Sequence, residues 1–127
     1  KIKMKTLITL LTVLSFFLMS TETTLGKRKI NFTINGHWEH PHKSPYLIPI
    51  DASIGDANYI IVEFLRESEE TVTFQIKDSQ GNIIYCDTVI PNMQIPYRID
   101  LNGYTFGQYE LIYLDGHAEL SGEFYIE

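Results

Sequence analysis

Three of the chain's four histidines stand within six residues, in Gly36-His37-Trp38-Glu39-His40-Pro41-His42. Neutral imidazole is the commonest side-chain metal ligand, so His37, His40 and His42 could converge on one ion. Zn(II), Cu(II) or Ni(II) would suit such donors. Pro41 stiffens the segment but forbids a helix, and the spacing is not that of a His-Glu-x-x-His site. The competing reading is a solvated loop anchored by Trp38, the only tryptophan. Trp38 either plugs the core or offers a flat face to a sugar or peptide. Tyr46, Tyr104 and Tyr125 fall at loop or outward positions. With Trp38, Tyr46 and Tyr104 are the candidates for an aromatic ligand surface.

Other chemistry is thin. Asp56, Glu63, Glu67, Glu69 and Glu70 enrich one stretch in carboxylates, but Arg66-Glu67-Ser68-Glu69-Glu70 reads as a solvated loop between strands. It lacks the alternating oxygen ligands and tight glycine turn that calcium demands. Asp78-Ser79-Gln80-Gly81 reads as hairpin chemistry. Cys86 falls mid-strand beside Ile84, and an inward, inert thiol is expected there. No serine sits in a Gly-x-Ser-x-Gly elbow, and there is no glycine-rich phosphate loop. No catalytic residue and no cofactor is expected.

These groups must be carried by strands. After residue 26 the apolar period is two. Ile30, Phe32 and Ile34 alternate with polar neighbours, as do Val72, Phe74 and Ile76. Tyr46 to Ile50 is a short apolar run interrupted by Pro49, which predicts an edge position. Ile60, Val62 and Phe64 should point inward. Asp78 to Asn82 makes a turn, and Ile83 to Val89 completes a hairpin. Ile95, Tyr97, Ile99 and Leu101 form one alternating set, and Tyr109, Leu111 and Tyr113 another. After a turn at Asp115-Gly116, Leu120, Gly122, Phe124 and Ile126 share a face. Seven or eight short strands at this spacing predict an all-β, immunoglobulin-like antiparallel sandwich. Gly107-Gln108-Tyr109 adds a cue: a tyrosine at the start of a late strand resembles the tyrosine corner of such sandwiches.

The chain has 127 residues, room for one domain. It carries 10 Lys+Arg against 16 Asp+Glu, a net charge of −6. That balance argues against nucleic acid as a partner. One cysteine allows neither an internal disulfide nor a cysteine-rich zinc site. Residues 1–26 differ from the rest. Lys1, Lys3 and Lys5 precede Leu7 to Met19, where 10 of 13 residues are apolar, and a polar stretch follows. This is the layout of a secretory signal peptide, with cleavage after Ser20 or Gly26. The apolar core is short of the roughly 20 residues that span a bilayer, so no stable membrane span is expected after processing. The expected organisation is a leader over residues 1–26 and one sandwich domain over 27–127.

Gly36-His37-Trp38, Pro49-Ile50-Asp51-Ala52, the segment from Val72 to Tyr85, Gly107-Gln108-Tyr109-Glu110-Leu111 and Gly122-Glu123-Phe124-Tyr125-Ile126 carry a resemblance. Together they resemble a family of short secreted proteins from Gram-negative gut anaerobes of the Bacteroidales type, a domain of unknown function with an immunoglobulin-like fold. The resemblance implies that fold and a place in the periplasm or at the cell surface, and brings no catalytic residues. The second half also resembles C-terminal sorting domains of a secretion system in such bacteria, though no cargo domain precedes it and the end is not basic. The function expected is a secreted, non-catalytic interaction module for a protein or a glycan. The alternatives are a metal-binding protein built on His37, His40 and His42, or a sorting domain.

Overall fold

The computed structural model describes residues 27–37 and 47–127. The expected leader, and Trp38, His40, His42 and Tyr46, lie outside the described residues, as does the side chain of His37. Among the described residues no helix is long and apolar enough to cross a membrane.

Nine strands follow in order: β1 (Arg28–Ile30), β2 (Phe32–His37), β3 (Ile50–Gly55), β4 (Tyr59–Phe64), β5 (Val72–Lys77), β6 (Ile83–Val89), β7 (Tyr97–Asp100), β8 (Gly107–Leu114) and β9 (Ala118–Ile126). They form two sheets, ordered β1-β3-β4-β7 and β2-β9-β8-β5-β6. Every neighbouring pair is antiparallel. The inward residues of alternating strands meet between the sheets, as expected for a sandwich. Ile60, Val62, Phe64, Val72, Phe74, Ile76, Ile99, Leu120 and Phe124 are all buried there. No polar or charged described residue is buried with them. Phe74 lies at the centre, stacked on Tyr97 at 4.9 Å and edge-on to Tyr113 at 5.7 Å.

The structure corrects the sequence reading in four places. The first alternating run is two strands. The chain leaves one sheet after Ile30, crosses at Asn31 and enters the other at Phe32, which raises the count from the seven or eight expected to nine. Ile34 is consequently exposed. Pro49 precedes β3, and β3 is an inner strand between β1 and β4, so the proline marks a strand start and no edge. Its carbonyl accepts a hydrogen bond from the Leu65 N–H at 2.8 Å. Ile95 is exposed ahead of β7.

The fourth correction concerns Cys86, which is exposed. Lys77 pairs with Ile83, but Ile76 pairs with Tyr85, so Ile84 is an extra residue at the mouth of the hairpin. A one-residue bulge moves every later side chain to the opposite face. Tyr85 and Val89 therefore turn toward the core, and Ile84 and Cys86 turn outward.

The open side between β6 and β7 is closed by side chains. Tyr97 donates its hydroxyl proton to Asp87 Oδ2 at 2.6 Å, and the Tyr85 and Tyr97 hydroxyls are hydrogen-bonded to each other. Burial, then the bond to Asp87, holds the Tyr97 phenol far above its usual range, so it stays a neutral donor.

Candidate functional site

Connections gather at the two ends of the sandwich, where binding surfaces are usually built on a rigid frame. At one end lie the β4–β5 loop (65–71), the β6–β7 loop (90–96) and the β8–β9 turn (115–117). The β2–β3 connection also leaves and returns here, because His37 pairs with Ala118 and Ile50 with Phe64. That register places the described ends of the β2–β3 connection at the end where His117, the fourth histidine, stands. Among the described residues no group of three or more His, Cys, Asp or Glu could hold a metal.

A cleft of about 300 Å³ opens at this end, lined by Pro49, Phe64, Arg66, Glu70, Asp115 and His117 among others. Asp115 organises it. Its Oδ1 accepts the backbone N–H groups of His117 and Ala118, each at 2.7 Å, and its Oδ2 accepts the Tyr113 hydroxyl at 2.6 Å. Arg66 stands 3.8 Å away, and the carboxylate side chain is only 8% exposed. Burial alone would raise the Asp115 pKa. The three hydrogen bonds outweigh it and hold the carboxyl below its ordinary value. His117 Nε2 lies 3.8 Å from Glu70 Oε2. The sequence marked Asp115 only as a turn residue and Arg66 and Glu70 as solvated loop. Only the fold brings them together.

The opposite end carries the β3–β4 turn, the β5–β6 turn and the β7–β8 loop. Tyr104 lies here, at the far end from the anchored ends of the connection that holds Trp38 and Tyr46. Of the expected aromatic trio, only Tyr104 is among the described residues. Its ring stacks on Tyr109 at 5.8 Å, and Tyr109 stacks on Phe124 at 5.7 Å. Burial raises the Tyr104 phenol above its usual range. Tyr109 donates its hydroxyl to the Thr105 carbonyl at 2.7 Å, four residues upstream. This is the tyrosine corner that the Gly-x-Tyr spacing suggests. Gly103 and Gly107 adopt φ of +92° and +147°, which lets the loop double back over that bond.

The doubled-back loop and the β5–β6 turn enclose a groove of about 440 Å³. Its lining includes Ser79, Gln80, Ile84, Tyr104, Phe106 and Gln108. Phe106 is 80% exposed, the most exposed large apolar side chain among the described residues. No lysine or arginine lines the groove. Asp78 borders it, but its Oδ1 is occupied by the N–H groups of Gln80 and Asn82 at 3.0 and 2.9 Å. The wall is therefore aromatic and amide-rich, with few charges. Phe106 escaped notice in the sequence because one apolar residue in a loop leaves no periodic mark. Its position between two glycines, ahead of the corner tyrosine, was the available signal.

Two antiparallel sheets face to face, locked by a tyrosine corner, define an immunoglobulin-like β-sandwich. The chain belongs to the family described as Domain of unknown function (DUF3244), which it matches over residues 31–126. A crystal structure of a DUF3244 family protein from Bacteroides vulgatus, with an immunoglobulin-like β-sandwich fold, superposes with a TM-score of 0.62 at 16% identity. The match covers 80% of this chain and 99% of that one. At such identity the likeness concerns the fold. No curated protein matches the chain. The domain of unknown function and the immunoglobulin-like fold that the resemblance implies are those found.

Proposed function

We propose that the protein is an exported, non-catalytic binding module that holds an uncharged, hydroxyl-rich ligand, a neutral glycan, in the Tyr104–Phe106 groove. The observation that carries this reading is the Phe106 ring, presented to solvent beside a half-buried tyrosine in a concavity without cationic side chains. An exposed aromatic face stacks on the apolar face of a sugar ring. Neighbouring amides and hydroxyls bond the hydroxyl groups, the usual division of labour in a small-molecule site. The absence of lysine and arginine from the lining disfavours phosphate or carboxylate ligands. The leader-like layout of residues 1–26 supports export, and the acidic balance disfavours anionic polymers.

The test is isothermal titration of the purified protein against a panel of neutral oligosaccharides, followed by Phe106→Ala. Binding should weaken at least about tenfold in the variant, ~1.4 kcal/mol, with the unfolding midpoint unchanged. A panel in which no neutral oligosaccharide binds would sink the reading. So would a ligand whose affinity ignores Phe106.

A further inference from the structure

Tyr125 is an exposed aromatic that the groove leaves unused. It lies on the outer face of β9, 51% exposed, between the buried Phe124 and Ile126. Across the ladder it stands opposite Gln108 of β8, and Gln108 also lines the Phe106 groove. Ile84, turned outward by the bulge, lines that groove too. The groove therefore opens toward the outer face of the five-stranded sheet. A second hollow, of about 290 Å³, lies on that face. Lys77, Ser79, Gly81, Gln108, Glu110 and Glu123 are among its walls. It shares Asp78, Ser79, Gln108 and Tyr109 with the groove, so the two concavities run into each other across Ser79 and Gln108. Its floor is one rung of the sheet: Lys77 pairs with Glu110, and Glu110 with Glu123. All three point outward, because Ile76, Tyr109, Leu111, Gly122 and Phe124 beside them are buried.

We infer, taking the groove as a glycan site, that its ligand is an oligomer of several neutral sugar rings. The chain continues from Phe106 across Gln108 onto the outer face, where Tyr125 stacks on a further ring. Neighbouring strands lie about 4.8 Å apart, so Tyr125 stands about one sugar ring beyond Gln108. Phe106 and Tyr125 thus flank the amide as two stacking platforms. Glu110 and Glu123 accept hydrogen bonds from the sugar hydroxyls, and a carboxylate is a strong acceptor. Two like charges facing each other across a ladder repel. Among the described residues no ion pair or side-chain hydrogen bond to either acid offsets that repulsion. Lys77 and the Gln108 amide donate to the ring oxygens. Asp78, Glu110 and Glu123 outnumber Lys77 in the hollow, which turns away uronic or sulfated chains. A single ring in the groove would leave the hollow empty.

The experiment is calorimetric titration with linear glucose, xylose and mannose oligomers, each as a length series from one ring to six. Affinity should rise at least tenfold from the shortest oligomer that binds to the longest. Tyr125→Ala with Glu123→Gln should abolish that rise and leave affinity for the shortest oligomer within twofold. Both side chains face solvent, so the unfolding midpoint should hold. Tyr125→Phe keeps the ring and should keep the rise. Glu123→Gln alone, which barely changes shape, should weaken the longest oligomer at least threefold. Phe106→Ala should weaken every length. Short oligomers that bind through Phe106 with no gain from added rings would overturn the extension and leave the groove reading standing. A gain that survives the double variant overturns it as well, as does tighter binding of uronic-acid oligomers. If no oligomer of any length binds, groove and extension fall together.

Discussion

Tyr109 and Asp115 do more for this fold than their size implies, and both act through hydrogen bonds to backbone. The Tyr109 hydroxyl fastens the β7–β8 loop by its bond to Thr105. Tyr109→Phe keeps the ring stack but abandons a part-buried carbonyl. It should cost about 1–2 kcal/mol in urea unfolding with the native spectrum retained. Asp115 serves two backbone N–H groups and one hydroxyl. Asp115→Ala leaves those donors without their acceptor and should cost about 1–3 kcal/mol at pH 7. The pH dependence has a definite sign. The folded carboxyl lies below its unfolded value, so its contribution is complete above about pH 4 and is lost as pH falls through the folded value. The gap in stability between wild type and Asp115→Ala, followed by thermal unfolding from pH 7 to pH 2, should therefore narrow only below about pH 4.

Among the strands, β9 carries the tightest constraint. Gly122 pairs with Phe32 at the point where the chain passes from one sheet to the other. A Cβ at Gly122 would meet Ile30 Cγ2 at 2.6 Å and the Asn31 carbonyl oxygen at 2.8 Å. The backbone atom cannot swing aside as a side chain can. Gly122→Ala should lose about 1–3 kcal/mol by overpacking, whereas the exposed neighbour substitution Glu123→Ala stays within about 0.5 kcal/mol; chemical denaturation of both variants checks the contrast. The strands themselves were legible because burial of one face imposes a period of two. Phe74, flanked by Val72 and Ile76, and Phe124, following Leu120 and Gly122, could be assigned inward from spacing alone. Two features were not. Ile30, Phe32 and Ile34 keep the alternation across Asn31, so nothing in the pattern betrays that the first belongs to a different sheet. The bulge at Ile84 is one added residue whose only effect is to reverse a face, and residue types do not record it.

Taken whole, the molecule separates what sequence can show from what assembly creates. The corner tyrosine was readable because a glycine, a spacer and a tyrosine must lie close along the chain. The Asp115 cleft draws residues from four separate segments, from Pro49 to His117, and the Phe106 groove joins two loops. Neither has a local signature. The two ends of the described chain also meet: Arg28 Nη1 lies 2.8 Å from Glu127 Oε1, and Arg28 reaches the Tyr125 carbonyl. Exposed as it is, that ion pair adds little stability, but it shows that both ends leave from one pole of the sandwich. β2 leads away from that pole and its antiparallel neighbour β9 returns to it. Tension applied through the ends would thus open their ladder rung by rung, like a zipper, and never strain all its rungs at once. Tethered by both ends, this domain would be a soft link that gives way early and no strut.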